Sequence, residues 1–250
     1  MNSLKNTSYR QRVYDSYISK RSHLDETYQA RSYRRWAKAA EQRLAEWFPA
    51  ELDVPILDLA CGHGNCLYLL QQKGYTNLTG VDLGVEQLEL AAQYAPTAKL
   101  IKDDLINFLS SCDDKYELIV CLNIIEHFAK QELFQFLDLM TNALRPGGRI
   151  IFETPNAASP WFGAVAYSDL THEWFFTPRG LADVLMLVNL ENFEARASGP
   201  MLLDLKSSLR VLVWKFIALM LSIWNIAETG SVGSGIYTRV FVASATKKKQ

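Results

Sequence analysis

The chain has almost no excess of charge of either sign: 26 Lys and Arg stand against 27 Asp and Glu, a net charge of -1 over 250 residues. Polyanionic partners are gathered by net positive charge, so a nucleic-acid substrate is disfavoured. Cysteine is scarce, and the four present, Cys61, Cys66, Cys112 and Cys121, show no paired short spacing. That excludes a disulfide framework or zinc site and points to reduced thiols. The polar N-terminal stretch lacks the apolar core of a signal peptide, so a cytoplasmic location is expected. No bilayer-length apolar run is free of charge either. The greasiest one, 209–226, has Lys215 in its interior and Arg210 at its start, and a charge in mid-membrane is costly. A length of 250 residues allows one core domain with appendages and makes two full domains cramped.

What is present is organised around residues 56–65, Ile-Leu-Asp-Leu-Ala-Cys-Gly-His-Gly-Asn. An apolar run entering a Gly-x-Gly turn, with a helix-like segment behind it, reads as a buried parallel strand presenting its carboxyl end to a ligand. A side chain at Gly62 or Gly64 would block the ligand or the tight backbone path. The helix N-terminus that follows offers free N–H groups. The third glycine of the dinucleotide fingerprint, which lets a diphosphate approach, is missing, because Leu67 stands there. Instead an acid, Asp58, lies inside the strand, suited to a ligand that brings its own ammonium group. The second strand, 78–83, ends in Asp82, placed to hold both hydroxyls of a ribose.

Asp58-Leu-Ala-Cys-Gly-His-Gly, with Asp82 one strand later, resembles the class I S-adenosylmethionine (SAM) dependent methyltransferases. The resemblance implies SAM as cofactor and S-adenosylhomocysteine as product. It places Asp58, Ala60, Cys61, Gly62, Gly64 and Asn65 at the methionine end, and Asp82, Leu83 and Gln87 at the ribose. Aligning Asp104-Leu-Ile-Asn-Phe-Leu with the family pattern puts Asp104 and Leu105 at the adenine and leaves Asp103 solvated or capping the helix. Leu122, Asn123 and His127 fall beside the methionine moiety, in a segment similar to the family's acid-x-x-Glu-His, with Asn123 where an acid is frequent. Glu126 and His127 either order that loop or take part in proton chemistry. In this fold an N-terminal extension commonly folds over the cofactor, which makes Tyr14, Tyr17 and His23 lid contacts; the same tyrosines could equally pack the extension onto the domain. Arg31, Arg34 and Arg35 read as a solvated helix face, or as partners of an anionic acceptor.

Strand-like and helix-like segments alternate five times between 56 and 153, which specifies a parallel sheet with helices on both faces and ligands at the strands' carboxyl ends. A helix at 178–188, a strand at 193–197 and a last strand at 236–245, pairing antiparallel at the edge, complete the family's seven-stranded, Rossmann-like α/β fold. The expected organisation is an N-terminal helical extension over 1–50 and a methyltransferase domain over 51–250. That domain contains an acceptor-side loop at 154–177 and an apolar helical insert at 202–235 before the last strand.

The loop 154–177 is long and rich in aromatics, which argues for function and against disorder. Displacement at a sulfonium needs water exclusion, alignment and, for a hydroxyl acceptor, removal of a proton. Of the four histidines only His172 lies in this loop. It is the expected general base, with Asp169 and Glu173 near enough in sequence to orient it; the alternative is that it only hydrogen-bonds the loop into shape. No compact carboxylate or histidine cluster in the sequence points to a metal. Tyr-x-Asp-Leu-Thr-His-Glu at 167–173, Tyr14-Asp-Ser-Tyr and Ile226-Ala-Glu-Thr-Gly resemble a bacterial subgroup associated with polysaccharide synthesis. The resemblance implies methylation of a sugar hydroxyl in a surface glycan or its precursor. Two rival readings are a methyltransferase for a small-molecule natural product and a non-catalytic SAM-binding assembly partner. The apolar helix 209–226 leaves a homodimer interface or peripheral contact with the inner membrane face open.

Overall fold

A computed structural model describes residues 26–249. Tyr14, Tyr17 and His23, expected in the lid, lie outside the described residues. Helix α1 (Glu26–Leu44) leads to β1 (Ile56–Leu59), α2 (Asn65–Gln72), β2 (Leu78–Asp82), α3 (Val85–Tyr94), β3 (Lys99–Lys102), α4 (Leu105–Ser110), β4 (Tyr116–Leu122), α5 (Lys130–Ala143) and β5 (Leu144–Pro155). The chain continues through a short α6 (Phe162–Ala166), α7 (Pro178–Leu187), β6 (Leu190–Ala197), the long α8 (Leu205–Thr229) and β7 (Val240–Lys247). The seven strands form one sheet in the order β3-β2-β1-β4-β5-β7-β6. All neighbours are parallel except those of β7, which runs antiparallel to both β5 and β6.

Strand periodicity sorts the core into two layers. Leu57, Leu59, Ile119, Cys121, Ile150 and Phe152 pack on one face with the Leu133, Phe136, Leu137, Met140 stripe of α5. Ile56, Leu118, Val120, Ile151 and Val242 pack on the other with Leu67 and Leu70 of α2 and with Ala40, Leu44 and Trp47 of the extension. The described part of the extension is therefore built into the core. Burying side chains of this size contributes roughly 1.5–3 kcal/mol each.

The last strand is not at the edge. Phe241, Val242, Ala243, Ser244 and Ala245 of β7 are consecutively buried, because β7 inserts between β5 and β6 and is covered on both faces. The edge falls to β6, whose Glu191, Glu194 and Arg196 are the charges that keep an exposed strand from pairing with another chain.

Candidate functional site

The chain runs outward from β1 to β2 and β3, then crosses back to β4. The crevice between the carboxyl ends of β1 and β4 is thus the switch point where open α/β sheets bind ligands. Both ends carry a non-glycine residue in the left-handed region: Ala60 at φ 55° and Asn123 at φ 54°. Such backbone strain collects at ligand clamps.

On the β1 side, Asp58 is buried, and its Oδ2 has no hydrogen-bond partner among the described residues. Burial first, then the nearby Asp82 charge, push its carboxyl up to about 8. An anion here requires a cation, and the described residues place none on it. The two glycines above it do different work. Gly62 has φ +52°, and a Cβ built on it would meet nothing within 4 Å, so its open side faces the crevice. Gly64 has φ +76°, and a Cβ there would stand 2.8 Å from the Ala91 Cβ; it lets α2 and α3 close on one another. The turn is held from two sides. Gly62 N donates to Asp82 Oδ2 at 2.8 Å and Gly84 N to Asp82 Oδ1 at 2.8 Å, tying the ends of β1 and β2 together. Tyr33 of α1, stacked on Tyr94, donates to the His63 carbonyl at 2.5 Å. Cys61 points into the core, and burial raises its thiol, so only its backbone borders the crevice. Gln87 Oε1 is a second buried acceptor with no partner among the described residues.

Asp103 and Asp104 depart from expectation. Asp104 is the residue that caps α4: its Oδ1 accepts from Ile106 N at 2.9 Å and Asn107 N at 3.2 Å, the geometry of a helix N-cap. Asp103 Oδ1 accepts from the Asp104 amide at 2.8 Å.

On the β4 side, Asn123 Nδ2 donates to Glu153 Oε1 at 3.0 Å, and Arg43 of α1 pairs with Glu153 Oε2 at 2.7 Å. The extension thus braces the loop after β4. Glu126 is buried and accepts from Thr154 Oγ1 at 3.0 Å; burial pushes its carboxyl up to about 8. Its backbone carbonyl accepts from Glu173 N at 2.8 Å and Trp174 N at 3.1 Å, stitching the acceptor-side loop to this turn.

That stitching brings His127 and His172 together, with ring centroids 4.9 Å apart. Asp169 Oδ1 accepts from Thr171 Oγ1 at 2.7 Å, which leaves Thr171 Oγ1 to accept from His127 Nδ1 at 2.8 Å. Asp169 therefore reaches His127 through a hydroxyl. His172 Nδ1 donates to the Ala166 carbonyl at 3.2 Å, and Glu173 joins through its backbone. Each Nδ1 carries a proton in this network, so the lone pair of each neutral ring lies on Nε2. Glu126, His127 and His172 offer ligand-type atoms that all lie within 4.8 Å of one another, a set chemically able to hold a divalent cation. The sequence had shown no such cluster, because only the fold brings His172 to the adjacent Glu126 and His127.

Asn65 and Leu105 begin α2 and α4, Leu122 ends β4, and Leu83 follows β2. The sequence reading missed Tyr33, Thr154 and Thr171. It also missed Asn156, whose Nδ2 donates to the Ile236 and Thr238 carbonyls at 2.9 Å each and ties the acceptor loop to the approach of β7. An Asn just beyond a strand end is a turn former able to bond the backbone, the one signal that could have flagged it.

A family model described as a methyltransferase domain matches residues 21–195. A ubiquinone biosynthesis O-methyltransferase of Rickettsia bellii is 28% identical over 161 residues, covering 58% of this chain and 64% of that protein. The chain thus spans just under two thirds of that relative's length. Among solved structures, a SAM-dependent methyltransferase from Archaeoglobus fulgidus superposes with a TM-score of 0.62 at 20% identity, covering 89% of this chain and all of that one. One from Clostridium acetobutylicum gives 0.59 at 16% identity, covering 96% and 99%.

Proposed function

We take membership as the premise: the chain belongs to the methyltransferase-domain family, and we propose that it transfers a methyl group from SAM to a hydroxyl oxygen of a small-molecule or saccharide acceptor. The observation that carries the reading is Asp58, a buried carboxyl with an unpartnered oxygen beneath a glycine turn. SAM answers it with the ammonium of its methionine end, and supplies a methyl already bonded to a good leaving group. Asp82 keeps a lone pair on each oxygen for the ribose hydroxyls beyond those given to Gly62 and Gly84. Asp104 has Oδ2 for the adenine while Oδ1 caps α4. Gln87, Ala60, Asn65 and Leu83 complete the wall.

On the other side, His172 takes the acceptor proton at Nε2, with its ring fixed by the Ala166 carbonyl. Loop 154–177 excludes water and aligns the acceptor. Alignment alone is worth up to roughly 7–11 kcal/mol in favourable intramolecular cases, and a base adds about 10²–10⁴-fold. The closeness of Glu126, His127 and His172 favours a second reading of this half, in which the three hold a divalent cation that would polarise the acceptor oxygen. Turnover in EDTA separates the two: unimpaired methyl transfer supports His172 as base, and loss restored by a divalent metal supports the cation.

For the acceptor, the 167–173 motif favours a sugar hydroxyl, and the relatives' name favours an intermediate of ubiquinone biosynthesis. Trp161 and Tyr167, exposed in the loop, can stack on either. A screen of both acceptor classes with labelled SAM decides between them. Tight SAM binding with no transfer to any hydroxyl would support the assembly-partner reading.

A further inference from the structure

Helix α8 carries a large apolar face that the fold does not use. Among its residues only Ser207 is buried. Leu209, Leu212, Phe216, Leu219, Ile223 and Trp224 recur at helix-face spacing and are each 52–66% exposed. Soluble domains rarely leave so contiguous an apolar patch bare. By length and composition the helix could cross a membrane, but its connections forbid it. The chain arrives from β6 and returns to β7 in the same sheet. The return is irregular and runs back along the helix: Tyr237 Oη donates to Ser222 Oγ at 3.2 Å, and Asn225 Nδ2 to the Ser231 carbonyl at 2.7 Å. In a spanning arrangement this backbone would stand in hydrocarbon with its polar groups unmatched. The helix can therefore lie only along a surface.

Charge says which surface. Arg31, Arg34, Arg35 and Lys38, exposed on α1, gather against Leu203 and Asp204 where α8 begins. Lys206 and Arg210 continue the cluster along the first turns of the helix. Asp204, the acid among them, is the N-cap of α8 and accepts from Ser207 N at 2.8 Å. Since the whole chain has a net charge of -1, this is a local concentration of cations beside an apolar face. The face is also broader than the two-in-seven seam of a helix pair: Leu205, Val213, Met220 and Ile226 are each more than 40% exposed as well. Breadth, aromatic rings and flanking cations fit the boundary of a bilayer with anionic headgroups.

We propose that α8 and the basic cluster of α1 dock this protein, helix in plane, on an anionic phospholipid surface. Trp214 of α8 meets Trp161 of the acceptor-side loop at 5.9 Å between ring centroids, so docking sets the acceptor side of the crevice against the lipid. The proposal stands on its own observations and does not depend on the methyl-transfer reading.

The test is flotation of the full chain with vesicles of phosphatidylcholine alone and of phosphatidylcholine with phosphatidylglycerol. The expected result is a preference of roughly tenfold or more for the anionic vesicles, given several cations at the surface, with loss of binding in high salt and a blue shift of tryptophan emission. Arg34→Glu with Arg35→Glu should remove the preference, and Leu212→Glu with Phe216→Glu should abolish binding. Thermal melts and SAM titration of each variant show that the fold is kept. Equal partition onto both vesicle types, or onto neither, overturns the proposal. So does a dimer in solution that the Leu212→Glu, Phe216→Glu pair dissolves while no vesicle binds.

Discussion

Asp58 in β1 and Glu126 after β4 are alike in burial, at 3% and 1% exposed, and burial pushes each carboxyl up to about 8. They differ in company. Glu126 accepts from Thr154, and its backbone is stitched to the acceptor loop. Asp58 Oδ2 has no partner among the described residues, and the nearest charge acting on it is the like-signed Asp82. The β4 half of the crevice is assembled by the chain alone. Among the described residues the β1 half lacks the cation that an ionised Asp58 calls for, because an unpaired buried charge is costly. The same degree of burial thus marks a prebuilt station in one place and a binding site awaiting its ligand in the other.

The two halves can be broken separately. His172→Gln should slow methyl transfer about 10²–10⁴-fold with SAM affinity unchanged, read by labelled-methyl transfer and calorimetry; an equal fall in affinity would join the halves into one. Gly64→Ala should destabilise the apo protein by about 1–3 kcal/mol in urea unfolding, the usual range for overpacking, since its Cβ meets Ala91 at 2.8 Å. Gly62→Ala should lose only the roughly 1–2 kcal/mol that a left-handed φ costs an L-residue, with no clash added, yet bind SAM poorly because its Cβ enters the open crevice. Asp82→Ala should weaken SAM by roughly 1–3 kcal/mol, the scale of hydrogen bonds to a charged group. The Thr171→Val change should be mildest, about tenfold in turnover, through loss of the Asp169–Thr171–His127 chain.

A pH scan sharpens the contrast. Asp58 is raised from 3.8 unfolded to about 8 folded, so the stability it confers is full below about 4 and is lost as pH rises through about 8. Melting temperatures of the apo protein should fall across that window, and Asp58→Asn should make the fall shallower, with Glu126 contributing the remainder. An unchanged slope in the variant would assign the titration elsewhere.

The β1 half was largely legible in the sequence and the β4 half was not. Strand, glycine turn and acid sit within ten residues at 56–65, where local pattern and function coincide. The placing of the α4 cap on Asp104 and not Asp103 is a one-residue matter at a helix start, below what pattern reading resolves. Asp169 and His172 are near in sequence, but the loop turns the Asp169 carboxylate onto Thr171 and so toward His127. No local pattern predicts such a contact across the chain. The place of β7 was partly readable: 241–245 carries no charge while 190–197 carries three, which suits an inner strand and an edge respectively.

The central claim is most directly tested by calorimetric titration of SAM into wild type and Asp58→Asn at pH 7, in two buffers of different ionisation enthalpy. The account predicts that wild type binds SAM and releases about one proton as the Asp58 carboxyl ionises against the ammonium, and that the variant binds more weakly and releases none. Wild-type binding with no proton release, or equal affinity in the variant, would contradict it.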